Sequence, residues 1–497
     1  MKGSILRLLL VGIIGLMGFA MTSCSNIDSN VASDSIVEPK AKYTIMFYGC
    51  GGGNVDAMLD YALDPLLKEV RNSNGQVRFM VMYSMSKDDT QYKVYAEEDG
   101  DTDFFLGEYG MTYRYELCEN TFSDSTEAYI KQLYRERLKY KPASEVKLYE
   151  KATLEEFIQW CKQTAPAENY ILMLSDHGGG FDLDTEVTRG IMYDDNHDGV
   201  GLSVKSIAAA LQETNTHLKA IYWYGCLMGQ LEVLTETAPY CDYQFTSTHV
   251  ARVNPDHPVS LIKGLNASPN DFEQAAMVQG QELEKSFHHY FEIAEDENGN
   301  LNPENCDFGC WRSAKIADIN AQVKKLAELL TSNYSTEAQQ KGIDNASQSV
   351  YVYEWQCPHV DVLDYADYIA LYIMGDDANA QAEKIADDLS KAIQAANVYR
   401  INGTHRVYGD GELVTPVRGT FSLGISLYDK NQDKLYMRYS ANFKDSAFDQ
   451  ATKWSTWLDM NNITVMPEKI EDLKNPCNHS SMILYWLDGE LYDDDEW

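Results

Sequence analysis

Two stretches of sequence decide the fold: YILMLSDHGGGF at residues 170–181 and LKAIYWYGCLMG at residues 218–229. Each is an apolar run of strand type that ends in a turn containing glycine. Such runs predict buried parallel strands whose carboxyl ends open onto one edge of a sheet. Parallel neighbours need a crossover connection, and the 49 residues that separate His177 from Cys226 leave room for one helix and a loop.

His177 and Cys226 each follow one of these strands, so we expect an imidazole and a thiol to face each other across the sheet edge. A thiol attacks an acyl carbon as the thiolate, and a neighbouring imidazole supplies that form. Backbone N–H groups in glycine turns can stabilise the developing oxyanion, and we expect one donor from Gly178 and one from Cys226. Asp176 is expected to help orient the loop. A lone cysteine after a strand is more often a small buried hydrophobe, so the prediction depends on the joint pattern.

Strands and helices alternate through much of the chain. Apolar runs at 43–48 and 77–83 predict strands, and helical spacing predicts a helix at 203–211 before the Cys226 strand. Thr153 and Glu156 have the spacing of a capping box and predict the start of the helix before the His177 strand. This rhythm predicts an α/β protein with a mainly parallel sheet, covered on both faces, and a site at the carboxyl ends of the strands.

No Pro/Gly/Ser-rich linker divides the chain after Lys40, which predicts one large domain at 41–460. Insertions are expected near 99–151, which is polar and rich in tyrosine, and near 271–344, which has helical periods. A late strand at 421–428 and a closing helix at 447–458 are predicted as C-terminal additions. The acidic residues 461–497 predict a solvated tail.

The amino terminus predicts export. Lys2 and Arg7 begin a segment whose apolar core, 8–21, is too short for a confident membrane span, and small residues precede Cys24. Residues 1–23 resemble a bacterial lipoprotein signal peptide with lipidation at Cys24, followed by a flexible tether at 24–40. An ordinary secretory signal with a chance cysteine is the alternative. The prediction is an extracytoplasmic lipoprotein of the cell envelope, with inner or outer membrane undecided.

The net charge restricts the possible partners. The net charge is −35, and it becomes −37 once residues 1–23 are removed. This argues against nucleic acid and against an anionic lipid surface as partners.

With Cys24 set aside, nine of the ten cysteines remain. A disulfide framework therefore cannot use them all, and the close pair Cys306 and Cys310 is the best candidate for a local bridge.

An acidic segment from Asp194 to Gly199 resembles the beginning of a calcium loop, with oxygens at alternating positions. The twelfth position is Lys205, where an EF-hand requires a bidentate glutamate, so an EF-hand is excluded. A weaker calcium site and an ordinary Asp/Asn/Gly turn both fit, and the turn is favoured. We predict no required cofactor and no metal ligand set, with calcium left open.

These motifs together resemble the clostripain family of cysteine endopeptidases, which shares the caspase-like fold with caspases, gingipains and legumain. The resemblance is carried by the Asp-His-Gly-Gly-Gly block and by Cys-Leu-Met-Gly followed by Glu232 and Val233. Matching stretches frame nearly all of residues 42–460. The resemblance implies a caspase-like α/β/α sandwich, His177 as the catalytic histidine, Cys226 as the nucleophile, and protein or peptide substrates.

One position departs from the family pattern, and a second is the candidate for the cleavage that the family undergoes. The best-known family members carry an aspartate two residues before the nucleophile to bind a substrate arginine, and Tyr224 stands there instead, so the preference for the P1 residue is open. Family members are also cut between the two catalytic strands after a basic residue, and Arg189–Gly190 is the candidate bond. An inactive caspase-like binding lipoprotein and another thiol amidase or transpeptidase remain alternatives.

Overall fold

The structure is a computed structural model. It describes residues 41–50, 58–85, 108–118, 127–181, 190–249, 256–293, 307–350, 352–354, 357–402, 417–418, 422–427 and 441–460. The predicted signal peptide, Cys24, the tether, Arg189 and the C-terminal tail lie outside these residues, so the predictions made for them stay predictions. None of the described helices is long and apolar enough to cross a membrane.

The strands, in chain order, are β1 (Ala41–Cys50), β2 (Val77–Ser84), β3 (Met111–Leu117), β4 (Lys139–Pro142), β5 (Ala167–Ser175), β6 (Ile191–Asp194), β7 (Val200–Leu202), β8 (Leu218–Tyr224), β9 (Cys241–Thr246), β10 (Asp307–Arg312), β11 (Val352–Glu354), β12 (Cys357–Asp361), β13 (Asn397–Asn402) and β14 (Gly424–Ser426). Nine form one sheet in the order β13-β10-β9-β8-β5-β1-β2-β3-β4. Its five central strands, β9 to β2, are parallel, and the strands outside them are antiparallel. The prediction of a mainly parallel sheet is confirmed.

The helices, in chain order, are α1 (Met58–Asn72), α2 (Glu127–Glu136), α3 (Lys151–Thr164), α4 (Val204–Glu213), α5 (Leu231–Thr237), α6 (Asp256–Ala267), α7 (Phe272–Ile293), α8 (Ile316–Ser332), α9 (Glu337–Ser349), α10 (Val362–Tyr372), α11 (Asp376–Ala396), α12 (Ala447–Thr452) and α13 (Trp454–Met460). They cover both faces of the sheet. One core cluster contains Leu172 and Trp223 with residues of α3, α4 and α8, and the other contains Met173 and Tyr222 with residues of α1, α6 and α7. Because neighbouring residues of one strand enter opposite clusters, the strands read as continuous apolar runs.

Several local expectations need correction. Helix α3 begins at Lys151 after Glu150, which makes no side-chain cap, so the capping box at Thr153 is wrong. The closing helix is two helices, because Lys453 adopts a left-handed backbone with a φ of 59°. Cys310 is a buried free thiol on β10, so it forms no bridge with Cys306.

The late strand and the two expected insertions are built into the fold. Strand β14 pairs with β12 in a separate three-stranded sheet with β11. The region 99–151 supplies β3 and β4, the last two strands at one end of the sheet, and the region 271–344 supplies β10 as well as helices. Between β5 and β8 the chain adds a β6–β7 hairpin to the expected helix α4.

Candidate active site

The turns that carry His177 and Cys226 start side by side. Strands β5 and β8 are parallel neighbours, with Ser175 opposite Tyr224 at their carboxyl ends. The N–H of Asp176 donates to the carbonyl oxygen of Tyr224 at 3.3 Å, which extends this pairing by one residue. His177 and Cys226 are therefore the next residues to leave the same edge of the sheet.

Glycine allows the two turns to touch. A Cβ added to Gly178 would lie 2.2 Å from the carbonyl oxygen of Cys226 and 2.8 Å from its nitrogen. A Cβ added to Gly225 would lie 2.8 Å from the carbonyl oxygen of Asp176. The residues on both sides of His177 thus contact the backbone around Cys226, at distances that no side chain would allow.

The histidine is in the form that accepts a proton. His177 is partly buried, and desolvation lowers its pKa to about 4, so its imidazole is neutral near pH 7. Asp176 is buried, and its Oδ1 accepts from the backbone N–H of His177 at 2.6 Å. The carboxylate therefore holds the main chain at the point where the imidazole leaves it.

The thiol at 226 differs from the other described free thiols. Cys226 is partly buried, whereas Cys161, Cys241 and Cys310 are buried. Burial raises the pKa of Cys161 and Cys310, and raises that of Cys241 to about 12. Since a thiolate is the reactive species, these three thiols are poor nucleophiles. Of the free thiols that the structure describes, only Cys226 is accessible enough to attack a substrate.

The two backbone groups expected as oxyanion donors, the N–H groups of Gly178 and Cys226, lie on turns that touch each other. In the antiparallel bridge between Gly178 and Ile191, the hydrogen bond runs from Gly179 N to Gly190 O at 2.8 Å, so Gly178 N is not the donor of that bond. Gly178 also lies against Cys226 N, as the added Cβ above shows. The two backbone N–H groups therefore lie on turns that are in contact with each other.

Three hydrogen bonds hold the turn after Cys226. Leu227 has a φ of 61°, a left-handed backbone that costs a residue with a Cβ roughly 1–2 kcal/mol. Its N–H donates to His249 O at 3.0 Å, and Gly229 N donates to Ser247 O at 2.7 Å. Gly229 O in turn accepts from Gly424 N at 2.9 Å. The segment that follows β9 and the start of β14 thus hold the strained turn from two sides.

A buried glutamine that the sequence analysis missed joins the two turns. Gln230 is 1% exposed, and its Oε1 accepts from Phe181 N at 3.0 Å while its Nε2 donates to Leu227 O at 3.0 Å. The one signal in the sequence is a polar residue between Met228 and Leu231, four positions after the cysteine. That signal does not indicate a contact with a loop 49 residues away.

Tyr224 lies inside the protein rather than in an open pocket. Its side chain is 2% exposed, and its ring centroid is 4.8 Å from that of His257. Burial lowers the pKa of His257 to about 3, so this neighbour is uncharged. The position at which the family pattern places an aspartate is therefore part of a neutral aromatic cluster in this chain.

The acidic segment after β6 forms a turn closed by its own hydrogen bonds. Asp194 Oδ1 accepts from Asn196 N at 3.1 Å, and Asp194 Oδ2 accepts from Leu148 N at 3.3 Å and lies 2.9 Å from His197 Nδ1. Asp198 and Gly199 have positive φ and reverse the chain. No cluster of three or more metal-binding side chains occurs in the described parts of the chain.

Comparison with known proteins assigns the family. The model of the C11 peptidases, described as the clostripain family, matches residues 54–460. The chain belongs to the clostripain family. Clostripain of Hathewaya histolytica is 24% identical over 217 residues, which are 42% of this chain and 38% of that protein. The matched region thus spans less than half of this relative.

Solved structures of the family share the fold. An inactive zymogen C11 protease from Parabacteroides distasonis superposes with a TM-score of 0.53 at 14% identity, over 84% of this chain and 99% of that chain. A secreted C11 cysteine protease from Bacteroides thetaiotaomicron, in complex with an irreversible peptide inhibitor, gives a TM-score of 0.54 at 13% identity, over 85% and 100%. At such identities the likeness shows the caspase-like fold, and the prediction of that fold is confirmed.

Proposed function

We propose that this clostripain-family protein is an exported cysteine endopeptidase in which Cys226 is the nucleophile and His177 the general base. One observation carries the proposal: the turns bearing a neutral imidazole and the partly exposed free thiol of Cys226 are in backbone contact at the carboxyl edge of the sheet. Family membership points to the same reaction.

The proposed reaction has two proton-balanced halves. His177 takes the proton of Cys226 as the sulfur attacks the peptide carbonyl carbon, and the N–H groups of Gly178 and Cys226 stabilise the oxyanion. His177 then gives this proton to the leaving amine, and an acyl-enzyme remains. Water attacks the thioester after giving a proton to His177, the proton returns to the sulfur, and the carboxylic acid leaves.

Mass spectrometry of a peptide library tests this function. The mature protein is incubated with the library, and the products report activity and residue preference together. We expect internal cleavage by the wild-type protein and none by Cys226→Ala. A wild-type protein that cleaves no peptide, before and after trypsin treatment, would favour the inactive binding lipoprotein. Formation of new amide bonds in place of hydrolysis would favour a transpeptidase.

We propose a weak preference for arginine at P1. Tyr224 supplies no charge, and the neighbouring His257 is neutral, so this cluster offers a guanidinium no carboxylate. Specificity constants for matched Arg and Leu fluorogenic peptides should differ by less than roughly tenfold, or about 1.4 kcal/mol. An Arg preference of several hundredfold would contradict this and would require a carboxylate from another part of the chain.

Anchoring, metal dependence and processing complete the proposal. Lipidation at Cys24 is supported by the signal-like residues 1–23, and export by the description of the Bacteroides relative as secreted. Mass spectrometry of the N-terminal peptide should find a lipid on Cys24.

Hydrolysis should need no cofactor, and dialysis against EDTA tests whether calcium contributes. Cleavage at Arg189–Gly190 is proposed to activate the enzyme, by analogy with the family.

A further inference from the structure

One side-chain amide bridges the loop that carries His177 and the turn that carries Cys226. Gln230 Oε1 accepts from Phe181 N, four residues after His177, and Gln230 Nε2 donates to the carbonyl oxygen of Leu227, the residue after Cys226. Both bonds are 3.0 Å long, and both are shielded from solvent because Gln230 and Phe181 are 1% and 6% exposed. Each end of the amide therefore binds the backbone of a different turn.

The surroundings hold this amide in place. A Cβ added to Gly180 would lie 1.9 Å from Gln230 Nε2, so Gly180 leaves the space that the amide fills. Gly180 also has a φ of 82°, which directs the loop over the glutamine. The backbone of Gln230 forms a parallel bridge with Gly424, and its carbonyl oxygen accepts from Leu234 N at 3.0 Å to begin α5. The glutamine main chain is thus fixed before its side chain reaches either turn.

We propose that Gln230 is a positioning residue that sets the distance and orientation between His177 and Cys226. The inference rests on the proposed function, since it concerns the same catalytic pair. Gln230 touches neither reacting atom, and it acts through the backbone of Phe181 and Leu227. An amide suits this task because its NH₂ group donates and its carbonyl oxygen accepts, both in one fixed plane.

Loss of the Gln230 amide should change the geometry of the two turns more than the stability of the fold. A displacement of about 1 Å between catalytic groups can lower a rate on the order of 10²-fold. Without Gln230, Leu227 O loses its side-chain donor and the left-handed turn loses one support. Phe181 N loses its acceptor, and the His177 loop is then held by Asp176 and by the bond from Gly179 to Gly190.

Two variants of Gln230 and one control separate positioning from folding. Gln230→Met keeps the size of the side chain and removes both hydrogen bonds. Gln230→Glu keeps the acceptor for Phe181 N but, when ionised, has no hydrogen to donate to Leu227 O. Gln244→Met is the control, because Gln244 is also a buried glutamine with three hydrogen bonds, to Trp223, Thr237 and Leu234, and contacts neither catalytic turn.

The first readout is steady-state hydrolysis of a fluorogenic peptide, with melting temperatures measured in parallel. Gln230→Met should lower kcat on the order of 10²-fold while KM changes by less than about threefold. Gln230→Glu should lower kcat at least tenfold at a pH where the new carboxyl group is ionised, and less at lower pH, where the protonated group can still donate to Leu227 O. Gln244→Met should lower the melting temperature and keep kcat within about threefold of the wild type.

The second readout is the alkylation of Cys226 by iodoacetamide as a function of pH, which needs no peptide hydrolysis. The wild-type profile should depend on His177, and His177→Ala should move it toward that of an ordinary thiol. Gln230→Met should move the profile in the same direction, and Gln244→Met should leave it in place. If Gln230→Met does not fold, Gln230→Glu is compared with Gln244→Met in the same way.

The outcomes distinguish the inference from the proposed function. A folded Gln230 variant with the wild-type kcat and alkylation profile would overturn the positioning role, as would a Gln244→Met profile that moves equally. A wild-type protein that hydrolyses no peptide would overturn the proposed function. The alkylation profiles would still decide whether Gln230 positions the imidazole against the thiol.

Discussion

The turn of Cys226 and the loop of His177 reach the same sheet edge but are held in different ways. The cysteine turn is fixed by segments that do not belong to the histidine loop. Its backbone binds the segment that follows β9 and the first residue of β14. The histidine loop has fewer external supports. Gly178 lies against Cys226, and Phe181 N binds Gln230, so the loop is positioned largely by the cysteine turn itself.

This difference implies a direction of dependence. A change in the cysteine turn should disturb both catalytic groups, whereas a change in the histidine loop should leave the nucleophile in place. The support behind the cysteine turn is itself braced, since Asp307 Oδ1 accepts from Thr248 N at 2.9 Å and from His249 N at 2.8 Å. The two proposed catalytic side chains therefore differ in how strongly the position of each depends on the other turn.

Removing the chemistry of each turn gives the largest expected effect. Cys226→Ala should lower kcat/KM by on the order of 10⁴-fold or more, because no other described free thiol is accessible. His177→Ala should lose most activity but keep a small rate from thiolate that forms unaided. Fluorogenic peptide assays on both variants, with folding checked by melting temperature, measure this. Wild-type hydrolysis by Cys226→Ala would show that the pair is misassigned.

Separating the two turns by one methyl group is the next largest effect. Gly178→Ala places a Cβ 2.2 Å from the carbonyl oxygen of Cys226, so one backbone must move, and kcat should fall about 10²–10³-fold as an oxyanion donor is displaced. Gly309→Ala on β10 is the control, since its Cβ would meet Trp311 Nε1 at 3.2 Å, away from both turns. Equal loss of kcat in the two variants would show that the contact between Gly178 and Cys226 has no specific effect on activity.

Cutting the chain beside the support of the histidine loop should have a moderate effect. Gly190 O binds Gly179 N, and this bond can survive cleavage of Arg189–Gly190. Brief trypsin treatment should give two associated chains with several-fold higher activity. Cys226→Ala should stay uncut in isolation and yield to added trypsin. Full activity of intact, single-chain Arg189→Ala would show that activity does not require cleavage of the Arg189–Gly190 bond.

The smallest effect concerns stability and pH. Glu232 lies in the first turn of α5, is fully buried, and its Oε1 accepts from Ser426 N at 2.9 Å. Burial raises its pKa to about 7. Because the folded protein holds this proton more tightly than the unfolded chain does, the stabilisation is complete below about pH 4.5 and is lost as pH rises to about 7.

Glu232→Gln removes this dependence and keeps the acceptor for Ser426 N. The variant should gain up to about 3 kcal/mol over the wild type between pH 4.5 and pH 8, or a few degrees in melting temperature. Melting curves of both proteins across this range give the measurement. A constant difference between the two melting temperatures would mean that Glu232 does not titrate in the folded protein near neutral pH.

The sequence predicted the parts of the fold that depend on local pattern. The apolar runs before His177 and Cys226 became β5 and β8 because strands buried on both faces need no polar alternation. The capping box at Thr153 failed because the chain enters the helix one turn earlier, at Lys151. The break at Lys453 was missed because a lysine carries no signal for a left-handed backbone.

Contacts between distant segments were beyond the reach of pattern. The amide of Gln230 and the carboxylate of Glu232 both bind backbone groups, Phe181 N and Ser426 N, whose positions depend on the folded loops. A backbone N–H has no residue identity to read from sequence. The burial of Tyr224 beside His257 was missed for the same reason, since it depends on where α6 packs.

Covalent labelling by a peptide with an electrophilic carbonyl end tests the assignment of Cys226 and His177. The mature protein is incubated with a peptidyl chloromethyl ketone, digested, and mapped by mass spectrometry, with Cys226→Ala, His177→Ala and Gln244→Met in parallel. Wild type and Gln244→Met should carry one adduct on Cys226, His177→Ala should react far more slowly, and Cys226→Ala should carry none. Labelling of another cysteine, or equal labelling rates with and without His177, would contradict the assignment of this pair.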